Sequence, residues 1–187
     1  MIGFFVLLFL AIFGVFLLFF IITDFIGAPF APSSLRTIRS MVRLAKLKPG
    51  MVVYDLGSGD GRLLFLAAKK GVTAVGFEIN PLLVLITLNR VFFSHLRIME
   101  VSHTSTEVSH TSGVRVRWQN FWKADISDAD VVFVYLLPSH VRTLEDLFRR
   151  KLKTGTRIVT HSLILPSFPL IAKDERSHVF VYRTPLL

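Results

Sequence analysis

The stretch from Val52 to Pro81 constrains this chain more than any other. It opens with an apolar strand, Val52-Val53-Tyr54, that ends in an acid, Asp55. The turn Asp55-Leu56-Gly57-Ser58-Gly59-Asp60-Gly61-Arg62 follows, then a helical run. A second apolar strand, Thr73 to Phe77, ends on Glu78 and gives way to Ile79-Asn80-Pro81. Strand, glycine turn, helix and a second strand ending in a carboxylate make half of a nucleotide-binding α/β fold.

The glycine spacing narrows the nucleotide. A dinucleotide fingerprint needs Gly-x-Gly-x-x-Gly, and Arg62 stands where its third glycine belongs. What is present is Asp55-x-Gly57-x-Gly59-x-Gly61. Alternate glycines let the backbone pass close beneath a ligand. Asp55 suits an ammonium, and Glu78 suits two ribose hydroxyls. A ligand with an amino acid and a ribose but no phosphate is S-adenosylmethionine, the cofactor this pattern implies. The candidate binding residues here are Asp55, Gly57, Ser58, Gly59, Asp60, Gly61, Glu78, Ile79 and Asn80.

The rest of the chain reads as repeated strand and helix. A helix capped by Ser33 or Ser34 runs to about Lys46, with Leu35, Ile38, Met41, Val42 and Ala45 on one face. Asp60 is placed to cap the helix after the glycine turn, and Asn80-Pro81 to start an apolar helix from Leu82 to about Leu96. Further strands are expected at Val114–Gln119, Val131–Leu136, Thr156–Leu165 and His178–Arg183, with a helix over Ser139–Lys153. The alternation predicts an α/β fold: a doubly wound, mostly parallel sheet with both faces covered and the last strand as an antiparallel edge. Ligands in such sheets bind outside the carboxyl ends of the strands. That places Asn120 and Phe121 beside an adenine ring and Tyr135 where an acceptor would arrive. Asp125, Asp128 and Asp130 fall at the opposite end and are poor catalytic candidates. His161 and His178 lie within expected strands and read as core or edge residues.

Outside this domain the composition is unusual. The 187 residues are 52% hydrophobic, and the formal net charge is +9. Met1 to Ile22 holds no charged residue and at 1.5 Å per residue would span roughly 33 Å, enough for a bilayer core. Without a basic n-region or a small-residue cleavage site, it reads as a retained transmembrane helix over residues 1–23 and not as a signal peptide. Arg36, Arg39, Arg43, Lys46 and Lys48 follow it and nothing basic precedes it. The expectation is an N-terminus outside and a cytoplasmic domain, 35–187, against the lipid bilayer. Residues 24–34, with Pro29-Phe30-Ala31-Pro32-Ser33, form a stiff connector or a lid over the cofactor. The charge is spread along the chain, without the concentrated basic and aromatic face that nucleic acid requires. Glu100–Ser105 recurs as Glu107–Ser112, a seven-residue tandem repeat. Its His103 and His110 lack the converging ligands of a metal site, so a solvated insertion is expected and no metal.

Tyr54 to Pro81 resembles the seven-strand class of S-adenosylmethionine-dependent methyltransferases. Within that class the chain is similar to a small family of archaeal, bacterial and mitochondrial protein-lysine methyltransferases, many of them membrane-anchored. The resemblance rests on Pro29–Ser33, Asp55–Arg62, Gly76–Pro81 and Asn120-Phe121-Trp122. It implies cofactor contacts from Asp55, Gly57, Gly59 and Glu78, and a lid formed by Phe30 and Pro32. It departs from the family in having Asn120 where Asp is usual. A lysine acceptor must be neutral, and a dry pocket beside a sulfonium lowers its pKa without a dedicated base. Tyr135 is the candidate catalytic residue, orienting the amine. The expected partner is a protein bearing a target lysine, with membrane-embedded proteins among the candidates. Methylation of a lipid or quinone, and a non-catalytic cofactor-binding adaptor, are the competing readings.

Overall fold

The computed structural model describes residues 3–14, 33–101 and 113–185, with the backbone alone over 95–101. The chain divides into two units, Met1–Ala31 and Pro32–Leu187. In the first, residues 3–14 form a helix (α1) whose side chains are all exposed. Among the described residues no helix is long and apolar enough to cross a membrane. At 1.5 Å per residue, α1 as described covers roughly 18 Å of the 30 Å needed. The remainder of the expected span, 15–23, and the connector residues Pro29 to Pro32 lie outside the described residues.

The second unit opens with α2 (Leu35–Ala45), whose N-cap Ser34 accepts the Thr37 N–H at 3.1 Å. Its apolar face of Ile38, Met41, Val42 and Ala45 is buried, and Lys46 ends it in the left-handed conformation. Then follow β1 (Val52–Leu56), α3 (Arg62–Ala68), β2 (Thr73–Glu78) and α4 (Pro81–Val101). After these come β3 (Val114–Trp118), β4 (Val131–Val134), α5 (Val141–Lys151), β5 (Arg157–His161), β6 (Leu170–Asp174) and β7 (Val179–Arg183).

The strands make one seven-stranded sheet in the order β3-β2-β1-β4-β5-β7-β6. The first five are parallel, and β7 runs antiparallel to both β5 and β6. Strand order reverses between β1 and β4, and the crevice at such a switch point is where doubly wound sheets bind ligands. One face of the sheet packs Val53, Phe133, Val159 and Val181 against α2 and α3. α5 is not part of that cluster; its Leu144, Leu147 and Phe148 are buried, as expected for the opposite face under the right-handed crossover rule.

Several expectations change. The last strand is antiparallel, but it is not the edge: β6 pairs outside it, so the sheet has seven strands and not six. The strand expected over Thr156–Leu165 stops at His161, because Ser162 turns with φ 56°. Asp60 does not cap α3. Gly61, at φ 77°, occupies the N-cap without a side-chain bond, and Asp60 pairs instead with Arg62 and Arg90 at 2.7 and 3.0 Å. Ser139 and His140 belong to a short 3-10 turn before α5. Glu100 and Val101 end α4, while the rest of the tandem repeat lies outside the described residues.

Candidate active site

The site is built at the carboxyl ends of β1, β2, β4 and β5. Register pairs Leu56 with Phe77 and with Val134, and Val134 with Thr160. One residue further along, Glu78, Gly57, Tyr135 and His161 therefore stand in a row across four adjacent strands. In parallel strands at one level, side chains share a face.

The glycine loop between β1 and α3 is fastened from below. Gly57 and Ser58 N–H both donate to the Phe77 carbonyl at 3.0 Å, and Gly61 N–H donates to the Ser58 carbonyl at 3.0 Å. Gly59 N–H donates to Glu78 Oε2 at 2.8 Å. Gly57, Gly59 and Gly61 all have positive φ, between 56° and 89°, a region costly for any residue with a Cβ. Gly61 is also packed: a Cβ there would come within 2.7 Å of the Thr87 methyl on α4. Thr87 is fully buried and its hydroxyl donates to the Gly59 carbonyl at 3.3 Å. A phosphate-binding loop aims its N–H groups at the ligand. Here Gly57, Ser58, Gly59 and Gly61 N–H groups are spent within the protein, in line with a ligand that carries no phosphate.

Two buried carboxylates flank the loop. Glu78 accepts Ile79 and Asn80 N–H through Oε1, each at 2.8 Å, besides Gly59 through Oε2. That fills three of about four acceptor positions on a carboxylate and leaves one for a hydroxyl. Asp55 is buried, and among the described residues no donor reaches it. Burial, with the Glu78 charge second, pushes its pKa up to about 7. A buried carboxylate with no donor fits a cationic ligand group, which would both pair it and hold it ionised.

The other candidates fall into distinct places. Ser58 is buried, its hydroxyl without a hydrogen-bond partner and turned toward Gly76. Asn80 is buried and caps α4, Oδ1 accepting the Leu82 N–H at 3.0 Å. Ile79 lends its carbonyl to the Trp118 indole at 2.9 Å. Asn120 Oδ1 accepts the Trp122 N–H at 3.0 Å, capping a 3-10 turn, and Phe121 is buried against Trp122 with ring centroids 4.6 Å apart. Asp60 sits at the rim, tied to two arginines. Phe30 and Pro32 lie outside the described residues. Asp130 accepts the Val52 N–H at the amino end of β1, so it is remote from the site. Among the described residues no group of three or more His, Cys, Asp or Glu could hold a metal.

Two residues were missed by sequence reasoning. Thr87 is one. The other is His161, whose ring packs on Tyr135 at 4.5 Å between centroids. Burial, and then the nearby His178, hold its pKa below the ordinary value, so the ring stays largely neutral at pH 7. It is the last residue of β5, one before the left-handed, non-glycine Ser162.

The model of the ANTKMT methyltransferase domain matches residues 55–171, more than half of the chain. The chain belongs to the ANTKMT methyltransferase family. A protein-lysine N-methyltransferase from Saccharolobus islandicus is 34% identical to it over 135 residues, which cover 71% of this chain and 75% of that protein. The adenine nucleotide translocase lysine N-methyltransferase of Mus musculus is 30% identical over 145 residues, 77% of this chain. The matched part spans only 57% of that mouse protein's length. Among solved structures, an RNA methyltransferase from Salinibacter ruber in complex with S-adenosyl-L-homocysteine superposes with a TM-score of 0.69. The two are 30% identical, with 82% of this chain and 92% of that one covered.

This methyltransferase is S-adenosylmethionine-dependent, and its residues fit that cofactor: an unpartnered buried carboxylate at Asp55, a remaining acceptor position on Glu78 and a glycine loop between them. When bound, the cofactor supplies a methyl group on a sulfonium, already activated for displacement. Asp55 is suited to the ammonium of its amino-acid end, and Glu78 to the ribose. The row then leaves Tyr135 and His161 on the far side of the loop from Glu78.

Proposed function

We propose that this methyltransferase acts on lysine side chains of proteins, and that it does so at a membrane surface. The observation that carries the acceptor class is the identity of 34% and 30% to two proteins named lysine N-methyltransferases. The chemistry of the acceptor side agrees with it. Tyr135, about one-third exposed, and the largely neutral His161 offer an aromatic, weakly polar pair. A lysine in such surroundings, beside a cationic donor, loses its proton more readily, through desolvation and like-charge repulsion. The neutral amine then needs alignment with the methyl group more than it needs a base.

The membrane half of the proposal rests on sequence: the uncharged run Met1–Ile22 and the basic residues that follow it. In this reading the run anchors the enzyme with its domain in the cytoplasm, and residues 24–34 act as connector and lid. The test is transfer of tritiated methyl groups to membranes and to a lysate, followed by fractionation. Label in protein bands, stable to nuclease and mapped to lysine by mass spectrometry, is the expected result. Label extracted into organic solvent would make the acceptor a lipid or quinone. Label in RNA would bring this chain nearer to the activity for which the Salinibacter ruber protein is named.

A further inference from the structure

A second concavity lies away from the strand ends, among the helices α2, α3 and α4. It is a groove of about 520 Å³ between α2, α3 and α4. Leu35, Ile38, Phe65, Leu66 and Phe93 supply its apolar lining. The four charged residues that line it are all basic: Arg39, Arg62, Lys69 and Arg90. Facing them is Asp60, which pairs with both Arg62 and Arg90. Four cations less one carboxylate leave three positive charges at the rim. Neither the Arg39 nor the Lys69 side chain has a hydrogen-bond or ion-pair partner among the described residues.

The apolar surface does not stop at the groove. Phe93 is 61% exposed, and beside it on α4 run Phe92, Leu88, Leu85 and Leu82, between 41% and 59% exposed. Exposed leucines and phenylalanines gathered along one helix signal a surface that something covers. An acidic peptide would occupy the groove and leave this outer face bare. A lipid leaflet covers both, with acyl chains on the phenylalanines and phosphates at the basic rim.

We infer that the α2–α3–α4 groove and the adjoining face of α4 dock on an anionic phospholipid leaflet, with Arg39 and Lys69 drawing the phosphate and Phe65, Leu66 and Phe93 meeting the acyl chain. The inference deepens the membrane-surface reading above. It adds a contact made by the catalytic domain itself, independent of the apolar N-terminus. Its consequence is orientation: α3 and α4 both begin at the cofactor site, so a leaflet held against them fixes the distance from bilayer to active-site mouth.

The test uses full-length protein with Phe93→Trp, mixed with vesicles of phosphatidylcholine alone or with one-third phosphatidylglycerol, in each case with brominated acyl chains. Wild type gives the background from Trp118 and Trp122, and cofactor binding reports the fold. The introduced indole should be quenched in the anionic vesicles well above background, and less in the neutral ones. Adding Arg39→Gln and Lys69→Gln should weaken that anionic preference by about 20–30-fold, roughly fivefold for each basic residue. Quenching at background, or equal in both lipids, overturns the inference. So does an emission shift produced by an acidic leucine-rich peptide and not by vesicles. Vesicle flotation of wild type tests the membrane reading separately: a chain that floats without quenching keeps its anchor and loses only this docking face.

Discussion

The Glu78 carboxylate holds the Gly59 N–H at 2.8 Å, so the acid that ends β2 also fixes the loop that ends β1. With Ile79 and Asn80 N–H groups on its other oxygen, Glu78 is the fastening between two strand ends as well as the candidate ribose ligand. Glu78→Gln turns one oxygen into a donor facing a donor. Three charge-assisted bonds are weakened together, each worth about 1.5–3 kcal/mol. The expected result is an affinity for S-adenosylmethionine at least tenfold lower in calorimetry and a melting temperature lower by several degrees. A melting temperature equal to wild type would show that the loop stands without it.

Asp55 makes a different prediction, in pH. Its pKa is about 7 in the folded protein, against an ordinary 3.8, because burial and Glu78 disfavour the charge. A cationic ligand needs the ionised form. Affinity for S-adenosylmethionine should therefore rise with pH up to about 7 and level off above it, with a loss approaching tenfold per unit below. The stability of the free protein moves the other way. A carboxyl group whose folded pKa is raised contributes most below about 3.8 and loses that contribution as pH rises to about 7. Asp55→Asn should abolish the pH dependence of binding, weaken affinity by about 1–3 kcal/mol and raise the melting temperature at pH 8. Binding that stays flat from pH 5 to 8 in wild type would remove Asp55 from the ammonium.

Thr87 and Gly61 should prove coupled. Gly61→Ala carries two costs: a left-handed φ of 77° and a Cβ placed 2.7 Å from the Thr87 methyl. Together they should destabilise the domain by about 2–4 kcal/mol in urea unfolding. Thr87→Ala removes the obstructing methyl and the weak bond to Gly59. The double variant should recover about 1 kcal/mol relative to the sum of the singles, a coupling that only contact explains. Simple additivity would mean that the backbone conformation alone sets the cost.

Much of this was legible in sequence, and the failures have physical causes. Asp55, the three glycines and Glu78 were legible because each sits within a few residues of a strand end, and a strand end is a local pattern. Asp60 was misread because acids often cap helices; here Gly61 takes the cap, and the carboxylate is drawn to Arg90 well along α4, a contact that only folding creates. Thr87 gave no sign for the same reason: a threonine inside an apolar helix shows its purpose only where the helix meets the loop. β6 was lost because Leu170–Asp174 is mostly exposed and follows Pro166 and Pro169, so it lacks both the alternation and the flanks of a buried strand. His161 was hidden by reading the fifth strand four residues too far, which turned an edge residue into an interior one.

The connector supplies the fourth prediction. A chain beginning at Asp24 should bind S-adenosylmethionine as the full protein does, while its rate on a membrane-protein acceptor should fall, since confinement to a surface raises effective concentration. A chain beginning at Leu35 should lose cofactor affinity as well if Phe30 and Pro32 close over the site. Equal affinity in the two would end the lid assignment. Equal rates on membranes for the longer one and the full protein would end the anchoring role.

Tyr135 supplies the last. It stands directly beyond β4, next to Gly57 on one side and His161 on the other, on the side of the loop away from Glu78 proposed for the acceptor. Tyr135→Ala should leave S-adenosylmethionine affinity within about twofold, because the cofactor contacts are assigned to Asp55 and Glu78 and not to Tyr135. Single-turnover methyl transfer to membrane proteins should nonetheless fall by at least tenfold, the scale expected when an acceptor loses its alignment. Tyr135→Phe separates ring from hydroxyl: if it retains most of the rate, the ring does the orienting, and if it falls with alanine, the hydroxyl does. His161→Ala should lower the rate less than Tyr135→Ala does and leave its pH profile unchanged, since a ring that is already largely neutral supports its neighbour by packing. A profile that loses a limb near pH 6 in that variant would instead make His161 a proton acceptor. A Tyr135→Ala enzyme as fast as wild type would move the acceptor away from this end of the sheet altogether.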